Sequence, residues 1–250
     1  MARSSTRLIL ALWFGPALVL SAFPPAFDLS SCLGPPSVAH PFGTDPFGRD
    51  ILRLTLSASG VSLMFALTCV AFSTALSLSL VALFANPQRN TLGSLNRLID
   101  FVLAFPSLLV SLAVVAYMRP GTESLAIALV IGIFPALTRL LSSRAKELMS
   151  EPFVEAAVSL GAPQIHLVRT HLFPHFLPLI WIKFPGMVAG ALIAEASLTF
   201  LGVGLPKGRE SWGSLLLTAK DYMIEAPHIM VFAGVPLVLT IALLQGQRRR

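Results

Sequence analysis

Charge is scarce in this sequence. Asp, Glu, Lys and Arg make up 12% of its 250 residues, about half the share usual for a soluble domain. So thin a coat of charge cannot solvate a globule of this size, which excludes an ordinary soluble domain. Cysteine is nearly absent: Cys32 and Cys69 are far apart and Cys69 lies in an apolar run, so neither a metal site nor a disulfide framework follows. None of Lys146, Lys183, Lys207 and Lys220 follows a glycine, so there is no G-K-[ST] phosphate loop, and no H-E-x-x-H pair occurs. His166, His171 and His175 read as polar positions on one helix, not as metal ligands. The expectation is a chain without catalysis, metal or cofactor of its own.

What is present is long apolar runs, 55% of residues being hydrophobic. Uncharged intervals predict about six transmembrane helices, over residues 8–27, 61–85, 101–118, 125–141, 179–201 and 226–244, with an interfacial helix at 51–59. The fold class is all-α integral membrane. Two arginines ahead of the first run and Ser21-Ala22-Phe23 behind it also fit a signal peptide, but the runs that follow favour a retained span. Residues 1–60 then hold the first span, an external loop and the interfacial helix, and residues 61–250 form the main membrane domain. Pro106, Pro135, Pro185 and Pro236 fall in or near spans and predict bends.

The net charge of +6 belongs to dispersed basic residues, so lipid is the expected partner and nucleic acid is not. Placing the N-terminus inside puts Arg3, Arg7, Arg97, Arg139, Arg144 and Arg169 among the inside residues, and Arg49, Arg53, Arg119 and Lys220 among those outside. The full tally is about two to one, which predicts both termini in the cytoplasm.

A polar interval at 142–178 separates the fourth and fifth predicted spans. Pro152 suits the first turn of a short helix and Gly161 the left-handed position past its end. Pro163 opens a second helix, predicted to stop before Pro174. The first helix is too short to cross lipid and has Phe153, Ala156, Ala157 and Leu160 on overlapping faces, a good shape for a groove on a soluble partner. Elsewhere, Glu195 lies inside a predicted span, where a carboxylate is expensive and often functional. A proton-coupling or substrate role stands beside a structural one, a hydrogen bond to the Gly-rich turn that follows; the structural reading is preferred. Asp45, Arg49 and Asp50 suit an external mouth or translocation path, a contact with a binding protein, or local ion pairing.

Four segments resemble the import permeases of the ATP-binding-cassette class, in particular the dipeptide, oligopeptide and nickel permeases. Glu155-Ala156-Ala157 followed by Gly161 and Pro174 is similar to the EAA loop of that class, with His171 and Phe173 where the pattern has Ile and Leu. The run from His40 to Asp50 resembles H-P-L-G-T-D-x-x-G-R-D, and Asp100 with Leu103-Ala104-Phe105-Pro106 resembles D-x-x-L-A-F-P. Glu195 to Gly204 followed by Ser211-Trp212-Gly213 resembles E-A-x-L-S-F-L-G-L-G with S-W-G.

The resemblance implies a translocating subunit of a bacterial inner-membrane importer for peptides or nickel. It implies cytoplasmic ATP-binding subunits that hold ATP and Mg, a second and unlike permease subunit, and an external substrate-binding protein. It makes Glu155, Ala156, Ala157, Leu160, Gly161 and Pro174 the ATPase-coupling loop. The alternatives are a permease of the same class for another small solute and an ion-gradient-driven secondary transporter. The second of these predicts an internal repeat, and none is visible.

Overall fold

The computed structural model describes residues 27–86, 91–204 and 210–246. Apart from Phe27, the first predicted span lies outside the described residues.

Helix α1, Ile51–Phe84, starts at Asp50, whose carboxylate accepts from the Arg53 N–H at 2.9 Å and satisfies one of the unpaired donors of a helix start. Its 34 residues reach about 51 Å, well beyond a hydrocarbon core of roughly 30 Å. The interfacial helix predicted at 51–59 is therefore not separate but continuous with the span that follows it. Gly60 does not break it, because a helical glycine costs only about 1 kcal/mol and Leu54, Ala58 and Ala66 are buried around that turn.

The third predicted span is corrected as well. Helix α2, Thr91–Leu103, meets α3, Ser107–Met118, at an 82° bend. Pro106 disfavours helical geometry in the residue before it, so the chain turns at 104–106. Helix α4, Thr122–Met149, continues well past the predicted end at residue 141. Ala145 and Leu148 are buried with Leu92, Leu95 and Leu172, which keeps this polar-looking stretch helical. Arg139 of α4 reaches back to Asp100 of α2, Nε to Oδ1 3.1 Å, so the Asp of the D-x-x-L-A-F-P segment braces the bend.

Helix α5 is Pro152–Ser159, and α6 is Gln164–Leu167. A π turn, Val168–Leu172, leads directly into α7, Phe173–Phe200. The predicted stop before Pro174 is absent. The wider π turn makes room for a pyrrolidine ring that a regular turn would press against a carbonyl. Helix α8, Trp212–Asp221, lies between α7 and the last span, α9, Pro227–Gly246.

Among the described residues four helical stretches are long and apolar enough to span a membrane: α1, α4, the continuous Gln164–Phe200 and α9. The α2–α3 pair is apolar enough only when its two helices are taken together across their 82° bend. Helix α1 packs on α4, α4 also on α2 and α3, and α7 on α1, α8 and α9. Hydroxyls between helices tie the bundle where lipid offers no partner: Ser111 donates to the Ala128 carbonyl at 3.0 Å and Thr138 to Ser77 at 3.0 Å. Ile51, Ala219, Ala226 and Ile229 cluster at one end of the bundle, whereas Val81, Leu92, Leu148 and Phe176 cluster at the other. The loop before α1 and helix α8 share the first end; α5 hangs from the second.

Candidate functional site

Helix α5 is built by its end residues. Pro152 occupies the first turn, where a missing N–H loses nothing. At the far end the Gly161 N–H donates to the Val158 carbonyl at 2.9 Å, and the Ala162 N–H to the Ala157 carbonyl at 3.0 Å. That pair of bonds needs a left-handed residue between them, and Gly161 supplies it at φ 81°. Nothing lies within 4 Å of where a Gly161 side chain would begin. Glycine is thus required here by backbone angle alone, so far as this chain is concerned.

The helix is anchored on one side only. Val154 is buried, and Phe153 leans on the imidazoles of His171 in the π turn and His175 in α7, with ring centroids 5.4 and 6.5 Å away. Glu155, Ala156 and Gly161 are exposed, Ala157 is half-buried, and Leu160 is 89% exposed. Pro174 is exposed in the first turn of α7, the element on which Phe153 leans. The predicted loop residues therefore lie together, with Phe153 still 44% exposed although one face of its ring rests on the two imidazoles.

The opposite end is a network of charges. Asp45 accepts from the N–H groups of Phe47 and Arg49 at 2.9 and 2.8 Å, folding its own turn. Arg49 Nε donates to Asp45 Oδ2 at 2.7 Å, and its Nη1 donates to Glu210 Oε1 at 3.0 Å. The guanidinium carbon stands 5.6 and 5.3 Å from the ring centroids of Phe27 and Phe47. Burial opposes the charge on Arg49, yet Asp45 and Glu210 outweigh it and push its pKa above the usual arginine value. Asp50 does not join this pair: it meets His40 Nδ1 at 2.8 Å while capping α1.

Glu195 is fully buried, apart from the charge network. Its Oε2 accepts from the Ser62 hydroxyl of α1 at 3.0 Å and its Oε1 from Thr199 at 3.1 Å, with Ser211 as a further hydroxyl partner. Ser62 in turn accepts from the Trp212 N–H at 3.1 Å. Among the described residues the hydrogen bond expected to the Gly-rich turn is replaced by these hydroxyls, and Thr199 in turn packs against Gly204.

Residues 79–248 match the family described as binding-protein-dependent transport system inner membrane component. A protein of Brucella suis that carries the name of a peptide transport system permease protein is 32% identical over 232 residues, 93% of this chain and 76% of its own length. The glutathione transport system permease protein GsiD of Escherichia coli is 32% identical over 215 residues, 86% of this chain and 71% of its own. The chain belongs to this permease family.

For this permease the gradient-driven alternative falls away, and the importer class read from the sequence stands. Among the described residues the short helix α5 between two spans, the charge network and the buried acid stand apart from the apolar bundle of this permease. Sequence reasoning missed Ser62, Glu210 and the Phe153 contacts. Ser211-Trp212-Gly213 was visible as a segment without a role; in the permease it starts α8, where Ser211 and Ser214 cap each other reciprocally.

Proposed function

We propose that this permease is a non-catalytic translocating subunit of an ATP-driven importer, and that α5 is the part its ATPase partner grips. The observation that supports this is Leu160, a leucine 89% exposed at the end of a one-sided helix beside the rigid turn at Gly161. The face carrying Glu155, Ala156, Leu160 and Gly161 is small and apolar enough to enter a groove on a soluble subunit. Movement of that subunit would reach α7 through Phe153 and the π turn, and rock the bundle between two arrangements.

In this reading the α5 end is cytoplasmic, the α8 end is external, and both termini lie in the cytoplasm of a bacterium whose inner membrane holds the chain. ATP and Mg belong to the ATPase subunits. A second, unlike permease subunit completes the path, and an external binding protein delivers the cargo. The names of the relatives favour peptides over nickel.

The test is co-purification from gently solubilised membranes that also express the ATPase genes encoded beside this one. The parent should capture an ATPase subunit, and Gly161→Asp should insert normally yet capture several-fold less. Normal insertion of both forms with no ATPase captured by either would overturn the reading.

A further inference from the structure

Two segments singled out in the sequence, 40–50 and 195–213, take no part in ATPase coupling, and the fold brings both to the start of α8. Besides the apolar packing of Trp212, Leu215 and Ala219, two polar contacts hold the helix there. One is buried: Glu195 of α7 grips Ser62 of α1, and Ser62 grips the Trp212 N–H. Gly213 packs so closely that a side chain there would begin 2.6 Å from Thr199 Cβ and 2.9 Å from Ala196 Cα. The other point is the ion pair of Arg49 with Glu210, whose side chains are 13% and 24% exposed. Glu210 also accepts from the Ser214 hydroxyl inside the helix at 2.8 Å, so the pair pulls on α8 itself.

The two points differ in kind. A buried carboxylate shared among hydroxyls is costly to unmake, because every partner is left unsatisfied. The ion pair keeps some contact with water on the Glu210 side, 24% exposed, so parting it costs less than unmaking the fully buried node. The buried node and the packed face of α8 are firm and the ion pair is the looser tie, an arrangement of pivot and catch. Resting on the importer reading above, we infer that Arg49 and Glu210 are positioning residues of transport. Their ion pair is the catch that holds α8 down on the external ends of α1 and α7, with the Glu195–Ser62 node as pivot. The outward-open state requires the catch to part, so weakening it shifts the population towards that state.

The experiment uses the full importer complex in lipid nanodiscs, with Cys32→Ser and Cys69→Ala as background and Ala219→Cys as reporter. Ala219 lies on the packed face of α8 and is fully buried. A membrane-impermeant maleimide added to the nanodiscs should label the reporter several-fold faster in Glu210→Gln than in the parent. ATP hydrolysis without binding protein should also rise several-fold, an effect that mere structural damage does not produce. Glu210→Asp, which keeps the charge, should stay near the parent. Arg49→Gln, which also strands Asp45, should label at least as fast as Glu210→Gln, and the double variant should exceed Arg49→Gln by little, because the Arg49–Glu210 pair is already lost in it. Equal labelling of Glu210→Gln and parent at equal insertion overturns the catch; faster labelling with unchanged hydrolysis overturns its link to transport. If the parent captures no ATPase, the importer reading fails, while the labelling comparison still decides whether the pair holds α8.

Discussion

Arg49 Nη1 lies 3.0 Å from Glu210 Oε1, across 161 positions of sequence. This contact joins the turn that opens the first described span to the residue that precedes α8. Asp45 makes the arrangement asymmetric: among the described residues Arg49 serves two carboxylates, whereas Glu210 meets Arg49 and the Ser214 hydroxyl.

The asymmetry predicts unequal losses. Arg49→Ala strands the nearly buried Asp45 carboxylate and removes the cation between Phe27 and Phe47, so it should destabilise the chain by about 2–3 kcal/mol. Glu210→Ala should cost about 1 kcal/mol or less. Apparent Tm values in detergent, read by intrinsic fluorescence, compare the two; a larger drop for Glu210→Ala would contradict this account of the network.

Glu195 is predicted to be structural before it is anything else. Glu195→Ala leaves the Ser62 and Thr199 hydroxyls without their acceptor and opens a cavity, a loss of roughly 3 kcal/mol or more. Glu195→Gln keeps the volume and one acceptor oxygen and should lose less. The yield of folded protein after mild heating orders the variants, and an Ala variant as stable as the parent would remove the node from the fold.

Glycines on α7 and α8 separate close packing from mere propensity. At Gly213 a methyl meets Thr199 and Ala196, so Gly213→Ala should cost about 1–3 kcal/mol by overpacking. At Gly190 nothing lies within 4 Å of the added carbon, and Gly190→Ala should be neutral or stabilising by up to about 1 kcal/mol. Melting of the purified single chain checks the sign at each site.

Phe153 fastens α5 to α7 and little else does. Phe153→Ala should leave the spans intact while amide exchange over residues 152–162 rises by about tenfold, a local opening rather than global unfolding. Hydrogen exchange read by mass spectrometry tests this, and unchanged protection there would mean that Val154 alone holds the helix.

Much of this protein was legible locally. The all-α membrane class follows from runs of uncharged apolar residues, and α4, α7 and α9 appear where those runs lie. Pro152 and Gly161 mark α5 because their effects act on the adjacent backbone, within one turn. Local ion pairing among Asp45, Arg49 and Asp50 was one of the readings open in the sequence, and Asp45 takes Arg49 four positions on.

The tertiary structure alone decided the rest. Burial around Gly60 makes α1 one helix, and burial of Ala145 and Leu148 carries α4 through residues that look like loop. The π turn lets α7 begin before Pro174, a shift of hydrogen-bond register that composition does not encode. Glu195 finds Ser62 133 positions away, and Arg49 finds Glu210, only once the spans have packed. The physical reason is range: backbone angle, capping and transfer to lipid are settled by near neighbours. The partner of a buried charge is settled by whichever helix the fold places beside it.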